Sequence, residues 1–209
     1  MPFKPDEREY RAMPLLSIAN EKRIDSDFYV EGYATTFNDP YELYEFEGNK
    51  YYEVIDRHAL DGADMSDVIM QYDHNGRVRA RNSNGTLGLE PNERGFFIFA
   101  DLSRSGAAKE LYEDISSGLV TKMSWAFTVA EDEYDRATRT RTIKRIRKVY
   151  DVSAVSIPAN GGTEISARSY LDGVIEVEKR EAQEREKQQA AMELSRKRLE
   201  IKLKLSGGK

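Results

Sequence analysis

The stretch TKMSWAFTV, residues 121–129, alternates apolar side chains with small or polar ones. One of the apolar residues is Trp125, the only tryptophan of the chain. A period of two residues is typical of a β-strand, whose successive side chains point to opposite faces. Ser124 and Ala126 therefore share the face opposite to Trp125. A hydroxyl on that face is either a structural or solvated group or part of a site, and the strand alone does not decide which.

Similar alternation recurs on both sides of this strand and predicts a strand-rich domain. Two pairs of segments read as hairpins, one around the turn 47–49 and one around 92–94. The predicted strands are 27–37, the two halves of 41–55, 68–75, 86–91, 95–102, 121–130 and 142–158, the last with a kink near Tyr150 and Asp151.

Residues 103–119 have the clearest helical pattern before the C-terminal region. Ser103 or Ser105 can cap the helix, and Gly118 can end it. Ala107, Ala108, Leu111, Tyr112 and Ile115 fall on one face. A second helix is expected near 160–171. Strands with few helices indicate the α+β class.

The composition divides the chain into three parts. Residues 1–13 are polar and contain proline, which predicts a flexible N-terminal arm. Residues 14–172 form the predicted domain, and 173–209 a charged tail of good helix formers. Between Val177 and Ala190 the only apolar side chain is that of Ala182. The tail is therefore a solvated helix, a partner-dependent coiled coil or a disordered segment.

Composition also limits the chemistry. The 209 residues include no cysteine, which excludes disulfides and thiolate nucleophiles and suits a reducing cytoplasm. The net charge of −5 gives no electrostatic reason to bind nucleic acid. No apolar run reaches the roughly 20 residues of a membrane span, and the N-terminus does not resemble a signal peptide, so we expect no membrane association.

Three side chains could together perform acyl transfer. Ser124 could act as the nucleophile, His74 as the base and Asp151 as the acceptor that orients the base. Each also has an ordinary structural interpretation: a solvated hydroxyl, a turn histidine and a salt-bridge partner. Ser153 and Ser156 compete for the role of nucleophile. Asp73 beside His74 supplies too few ligands for a metal, and we expect neither metal nor cofactor.

Three motifs in order resemble the prohead maturation proteases of tailed bacteriophages. They are VIMQYDHN (68–75), LYEDISSGLVTKMSWAF (111–127) and YDVSAVSIPAN (150–160). The segment EGYATTF (31–37) is similar to the first strand of that family, and the resemblance covers about residues 28–165. The family is in turn similar to the herpesvirus assemblins. The resemblance thus implies a barrel-like, strand-rich domain of assemblin type.

The resemblance also implies roles for individual residues. Ser124 corresponds to the nucleophile, His74 to the general base and Asp151 to the third member, with Glu164 as the alternative third member. The herpesvirus enzymes use a second histidine instead. The only other histidine here, His58, lies upstream in RHALDG, so an acidic third member fits better.

The function implied is that of a serine endopeptidase acting during prohead maturation. Its expected substrates are the scaffold or the scaffolding segment of the major capsid protein, and the protease itself. The expected location is the host cytoplasm, packaged inside the viral procapsid, where the enzyme could form oligomers. Backbone N–H groups of residues 158–162 could supply an oxyanion hole. The alternative function is that of a non-enzymatic assembly or scaffolding protein.

Overall fold

The computed structural model describes residues 8–13, 16–17, 22–156 and 165–206. In these ranges the chain forms eleven strands and two α-helices. The strands are β1 Glu9–Met13, β2 Leu16–Ser17, β3 Tyr29–Thr36, β4 Tyr41–Phe46, β5 Asn49–Ile55, β6 Ile69–Tyr72, β7 Asn75–Arg81, β8 Leu87–Pro91, β9 Gly95–Asp101, β10 Lys122–Asp135 and β11 Thr140–Val155. The helices are α1 Gly106–Ser116 and α2 Ile165–Ser206.

The strands form two open sheets. In the seven-stranded sheet the order is β1-β10-β11-β5-β4, and β6 lies between β11 and β7. The four-stranded sheet has the order β2-β3-β9-β8. The α+β class and the predominance of strands are confirmed. The predicted barrel is wrong: within the described residues β11 is long enough to pair with both β5 and β6 on one side, so the sheet branches instead of closing.

The hairpin of β10 and β11 forms the centre of the larger sheet. Its register pairs Ala126 with Asp151 and then Phe127 with Val149, so Tyr150 is an extra residue on β11. One extra residue on one strand is a β-bulge, which bends the strand and increases its twist. The kink expected near Tyr150 and Asp151 is therefore present as a bulge beside Asp151.

The face of β10 that carries Trp125 packs into the core. Trp125 is fully buried, and its ring lies 4.2 Å from that of Phe127 and 5.6 Å from that of Phe96 on β9, between centroids. These aromatic contacts join the two sheets. Close packing on this face holds the opposite face of β10 in a fixed position.

The sequence predicted helix α1 well. Ser105 is the N-cap, and its side chain accepts a hydrogen bond from the backbone N–H of Ala108 at 3.1 Å. The helix buries Ala108, Leu111 and Ile115, which belong to the predicted apolar face. Gly118 follows the helix with φ of +77°, a conformation that glycine adopts without strain.

The N-terminal strand differs from the expectation of a flexible arm. Residues 1–7 lie outside the described residues, but β1 pairs along its whole length with β10. Its Arg11 is buried and contacts Glu53 of β5 and Glu9 of the same strand. Arg141 of β11 is also buried and contacts both glutamates. Buried, paired charges hold β1 to the sheet, which the polar composition of the segment did not reveal.

Four of these charged residues form a cluster that we call the buried ion cluster: Glu9, Arg11, Glu53 and Arg141. Glu9 Oε2 accepts from Arg11 Nη2 at 2.6 Å and from Arg141 Nη1 at 2.7 Å. Burial raises the pKa of the Glu9 carboxyl, but Arg11 and Arg141 outweigh burial and hold that pKa below its ordinary value. The cluster is therefore charged at neutral pH.

Helix α2 is one continuous helix, whereas the sequence predicted a short helix near 160–171 followed by a separate tail that is helical or disordered. Contacts divide the chain into two compact units, the larger reaching Arg168 and the other beginning with Ser169. Most described side chains between Glu176 and Arg198 are exposed. Neither helix in the described ranges combines the length and apolar composition needed to cross a bilayer.

Candidate active site

His74 lies in the tight turn that joins β6 to β7. Tyr72 pairs with Asn75, so Asp73 and His74 are the two residues of a hairpin connection. Both have left-handed backbone conformations, with φ of +49° and +55°. Positive φ at both central positions is required by a type I′ turn, and aspartate and histidine adopt it more readily than most residues. The imidazole is thus carried by a short, well-defined turn.

Asp73 fastens this turn to the end of β11. Its backbone N–H donates to the carbonyl of Ala154 at 3.0 Å. Its carboxylate accepts from the backbone N–H of Ser156 at 2.9 Å and from the Ser156 hydroxyl at 2.8 Å. These three bonds set the position of the neighbouring His74 relative to β11. Asp73 is thus a structural anchor of the turn.

Ser124 and Asp151 lie on one face of the hairpin of β10 and β11. Ser124 is opposite Ser153, and Ala126 is opposite Asp151. Residues two apart on a strand share a face, so all four side chains are on the side away from Trp125. Ser124, Asp151 and Ser153 are buried. Their polar groups must therefore be satisfied within the protein.

His74 connects the serine to the aspartate. Its Nε2 lies 2.6 Å from Ser124 Oγ, and its Nδ1 lies 2.5 Å from Asp151 Oδ1. The side chain of His74 is 19% exposed, against 6% for that of Asp151. Nδ1 donates to the carboxylate, which leaves Nε2 as the atom that can accept the serine proton. A hydroxyl, an imidazole and a carboxylate in this order can perform nucleophilic acyl transfer.

Two further residues contact this group. Ser153 donates its hydroxyl to Asp151 Oδ1 at 2.7 Å. Tyr10 of β1 presents its ring edge-on to His74, with centroids 4.7 Å apart. From the sequence alone, Ser153 is considered only as a competing nucleophile; its spacing of two from Asp151 on one strand is the signal that could have indicated this contact. Tyr10 gave no signal, because its segment was expected to be an arm.

The competing candidates lie elsewhere or have other partners. His58 is exposed, and its Nδ1 lies 2.9 Å from Asp61 Oδ2. The Ser156 hydroxyl binds Asp73. Glu164 and residues 158–162, the predicted alternatives for the acid and the oxyanion hole, lie outside the described residues. Among the residues that the structure describes, no three His, Asp or Glu side chains are grouped so that they could hold a metal ion.

Comparison with known proteins identifies the family. Residues 17–180 match the caudovirus prohead serine protease family, which is more than half of the chain. The chain belongs to this family. The resemblance inferred from the three motifs is thereby confirmed, and the matched range contains Ser124, His74 and Asp151. The roles of these three residues remain predictions.

A curated relative agrees with this assignment. The prohead protease of Enterobacteria phage HK97 is 33% identical over 88 residues, which are 41% of this chain and 39% of that relative. The match thus spans about two fifths of the length of the HK97 protein. No solved structure matches the chain.

Proposed function

We propose that this chain is a serine endopeptidase of phage capsid maturation in which Ser124, His74 and Asp151 form the catalytic triad. The observation that carries the proposal is the continuous hydrogen-bonded series from Ser124 Oγ through the His74 ring to Asp151 Oδ1. Membership of the prohead serine protease family supports the same reaction class. Fixed strands and a tight turn supply the rigid support that such a site needs.

In the first half of the reaction Ser124 Oγ attacks the carbonyl carbon of the scissile peptide bond. His74 Nε2 takes the hydroxyl proton as the new C–O bond forms, and Asp151 stabilises the resulting imidazolium. The C–N bond then breaks, and Nε2 gives its proton to the leaving amine. The products of this half are the released amine fragment and an ester of Ser124.

In the second half a water molecule hydrolyses the ester. His74 Nε2 accepts a proton from the water, whose oxygen attacks the ester carbon. The C–O bond to Ser124 breaks, and the proton returns to Ser124 Oγ. The second product leaves with a new carboxyl group, which releases its proton to solvent at neutral pH. His74 is partly exposed, and water can reach the imidazole from that side.

The proposed substrates are the scaffold or the scaffolding segment of the major capsid protein, and the protease itself. The proposed place of action is the interior of the procapsid in the host cytoplasm, where the enzyme and these partners are enclosed together. We also propose that the fold is related to that of the herpesvirus assemblins. In the described residues the sheets are open, in place of the expected barrel.

The test compares fragmentation of purified wild-type chain and capsid protein with that caused by Ser124→Ala. Loss of the nucleophile should lower the cleavage rate by about 10⁴-fold or more. Thr128→Val is the matched control, because it removes another buried hydroxyl of β10, one for which the described residues provide no hydrogen-bond partner. Thr128→Val should cleave at the wild-type rate.

The outcomes separate the two functions. Cleavage by the wild type that disappears in Ser124→Ala supports the endopeptidase. Equal cleavage by wild type and Ser124→Ala would reject Ser124 as the nucleophile. No fragmentation of capsid protein or of the chain itself, in folded wild-type protein and in assembled shells, would favour the non-enzymatic scaffolding protein.

A further inference from the structure

We infer that Ser153 is a positioning residue that orients the Asp151 carboxylate toward His74, an inference that rests on the proposed function. Ser153 is fully buried on β11, two residues after Asp151. Its hydroxyl donates to Asp151 Oδ1 at 2.7 Å. The catalytic series described above does not use this hydroxyl.

The two donors meet at one carboxylate oxygen. Asp151 Oδ1 accepts from the Ser153 hydroxyl and also lies 2.5 Å from His74 Nδ1. A charged carboxylate only accepts hydrogen bonds, so the serine hydroxyl must be the donor. Hydrogen bonds to ionised groups are shorter and stronger than neutral ones. Rotation of the Asp151 side chain would break both bonds, so Ser153 holds Oδ1 where the imidazole needs it.

The register of the hairpin explains why a serine is suitable at this position. Ser153 is directly opposite Ser124 on β10, so it lies on the same face as the reacting hydroxyl. A short side chain there reaches Asp151, its neighbour two residues away on the same face. Because Asp151 and Ser153 are both buried, no solvent water is expected to replace the lost donor freely.

Removal of the hydroxyl should change catalysis without changing substrate binding. In Ser153→Ala the carboxylate loses one donor and gains rotational freedom, so we expect kcat to fall by about tenfold with KM unchanged. Without the Ser153 donor, the negative charge of the Asp151 carboxylate also interacts more strongly with the protonated His74 ring. The acid limb of the pH profile should therefore move to higher pH.

The groups that face His74 in the described residues are few. Ser124 contacts Nε2, Asp151 contacts Nδ1, and the Tyr10 ring meets the imidazole edge-on. The neighbouring carboxylate of Asp73 is engaged by Ser156. Asp151 is thus the charged group in contact with the ring, and a change in its hydrogen bonding should be visible in the titration of His74.

The experiment measures kcat, KM and the pH profile for three substitutions of Ser153. Ser153→Ala removes the donor, Ser153→Cys keeps a similar volume with a weak donor, and Ser153→Thr keeps the hydroxyl. Ser153→Ala and Ser153→Cys should lower kcat about tenfold, and Ser153→Thr should keep most of the wild-type kcat. If the alanine variant does not fold, the comparison of Cys with Thr still separates hydrogen bonding from packing.

A second measurement is independent of activity. The two histidine rings are followed by NMR during a pH titration of Ser124→Ala and of the double variant with Ser153→Ala. We expect the His74 signal to titrate at higher pH in the double variant, while His58, which is paired with Asp61, stays unchanged. Thr128→Val in the same background should move neither signal.

The results distinguish two failures. Wild-type kcat and pH profile in Ser153→Ala and an unchanged His74 titration in the double variant, together with an inactive Ser124→Ala, would overturn the role of Ser153 and leave the triad standing. A fully active Ser124→Ala would overturn the proposed function itself. If kcat falls in Ser153→Ala and in Ser153→Thr but not in Ser153→Cys, the role of Ser153 is packing alone.

Discussion

The ring of Tyr10 meets the ring of His74 edge-on, with centroids 4.7 Å apart and planes inclined by 74°. Tyr10 lies on β1, and Ala12, two residues further along this strand, pairs with Ser124. The N-terminal strand therefore borders the nucleophile strand and contacts the proposed base at the same time. Its buried charges hold it in place, so the strand belongs to the structure of the site.

Tyr10→Ala should reduce activity because His74 loses an aromatic contact that limits its rotation. Edge-to-face pairs contribute about 0.5–1.5 kcal/mol, which corresponds to a fall in kcat of about twofold to thirteenfold. Tyr10→Phe keeps the ring and should remain close to wild type. Peptide-cleavage kinetics measure kcat for the two variants, and circular dichroism checks that both are folded. Equal kcat in the alanine variant would show that β1 does not position the imidazole.

The two histidines give a direct test of the base. His74→Ala should be inactive, since Ser124 would have no acceptor for its proton. His58→Ala should retain nearly full activity, because His58 is exposed and pairs with Asp61. Wild-type activity should rise with pH as an imidazolium loses its proton. The opposite result for the two variants would mean that the wrong histidine was assigned as the base.

The third member of the triad is tested by two amide substitutions. Asp151→Asn preserves the shape but replaces the acceptor, so the imidazole would favour the wrong tautomer and activity should fall by about 10⁴-fold. Glu164→Gln is the matched comparison and should stay active. Cleavage assays on folded variants decide the question. If Asp151→Asn is active and Glu164→Gln is not, the acidic role moves to Glu164.

Much of the fold follows from local patterns in the sequence. Alternation identified the strands between Tyr29 and Val155 other than β7, together with the hairpins around 47–49 and 92–94, and the cap at Ser105 and the glycine at 118 bounded α1. The strand predicted at 68–75 is instead β6 followed by the turn to β7, a hairpin that the sequence analysis missed. The branching of the sheet was not predictable in this way, because β11 chooses its two parallel partners through long-range packing. The resemblance to a family suggested a barrel, and local sequence contained nothing to correct it.

The site shows the same division between local and distant information. The proposed triad residues were named from motifs, and the structure brings Ser124, His74 and Asp151 within hydrogen-bonding distance. Tyr10 was missed because its role depends on the pairing of β1 with β10. The charged side chain of Arg11 on that strand binds Glu53, which is distant in sequence. A polar composition by itself cannot distinguish an arm from a strand with buried ion pairs.

The buried ion cluster predicts a loss of stability in acid. The pKa of Glu9 in the folded protein lies below its ordinary value of 4.5, so its contribution to the free energy of unfolding is fully present above that pH. The contribution is lost as the pH falls through the folded value. Urea unfolding from pH 7 down to pH 3 should show this decline in the wild type.

Glu9→Gln separates the cluster from other carboxylates. It leaves Arg11 and Arg141 with one partner fewer, which should cost about 3–5 kcal/mol at pH 7. The variant should also depend less on pH in the acid range, because the shifted group is gone. Glu133→Gln, at an exposed position, is the control and should follow the wild type. Parallel curves for wild type and Glu9→Gln would contradict the assignment of the acid sensitivity to Glu9.

The C-terminal region should be separable from the catalytic body. Among the described side chains from 173 to 198, Ile175 is buried, whereas Val177, Met192 and Leu194 are exposed. Removal of residues 178–209 therefore exposes little apolar area, and the midpoint of thermal unfolding should stay within about 3 °C of the full chain. Removal of 174–209 also takes Ile175 and tests whether that side chain matters.

Both truncated proteins should cleave peptides normally, while their packaging into procapsids should fall if the tail is a tether. Unfolding of the protein that lacks residues 178–209 would show that the tail belongs to the core. Normal packaging of both truncated proteins would show that the C-terminal helix is not needed for retention in the procapsid.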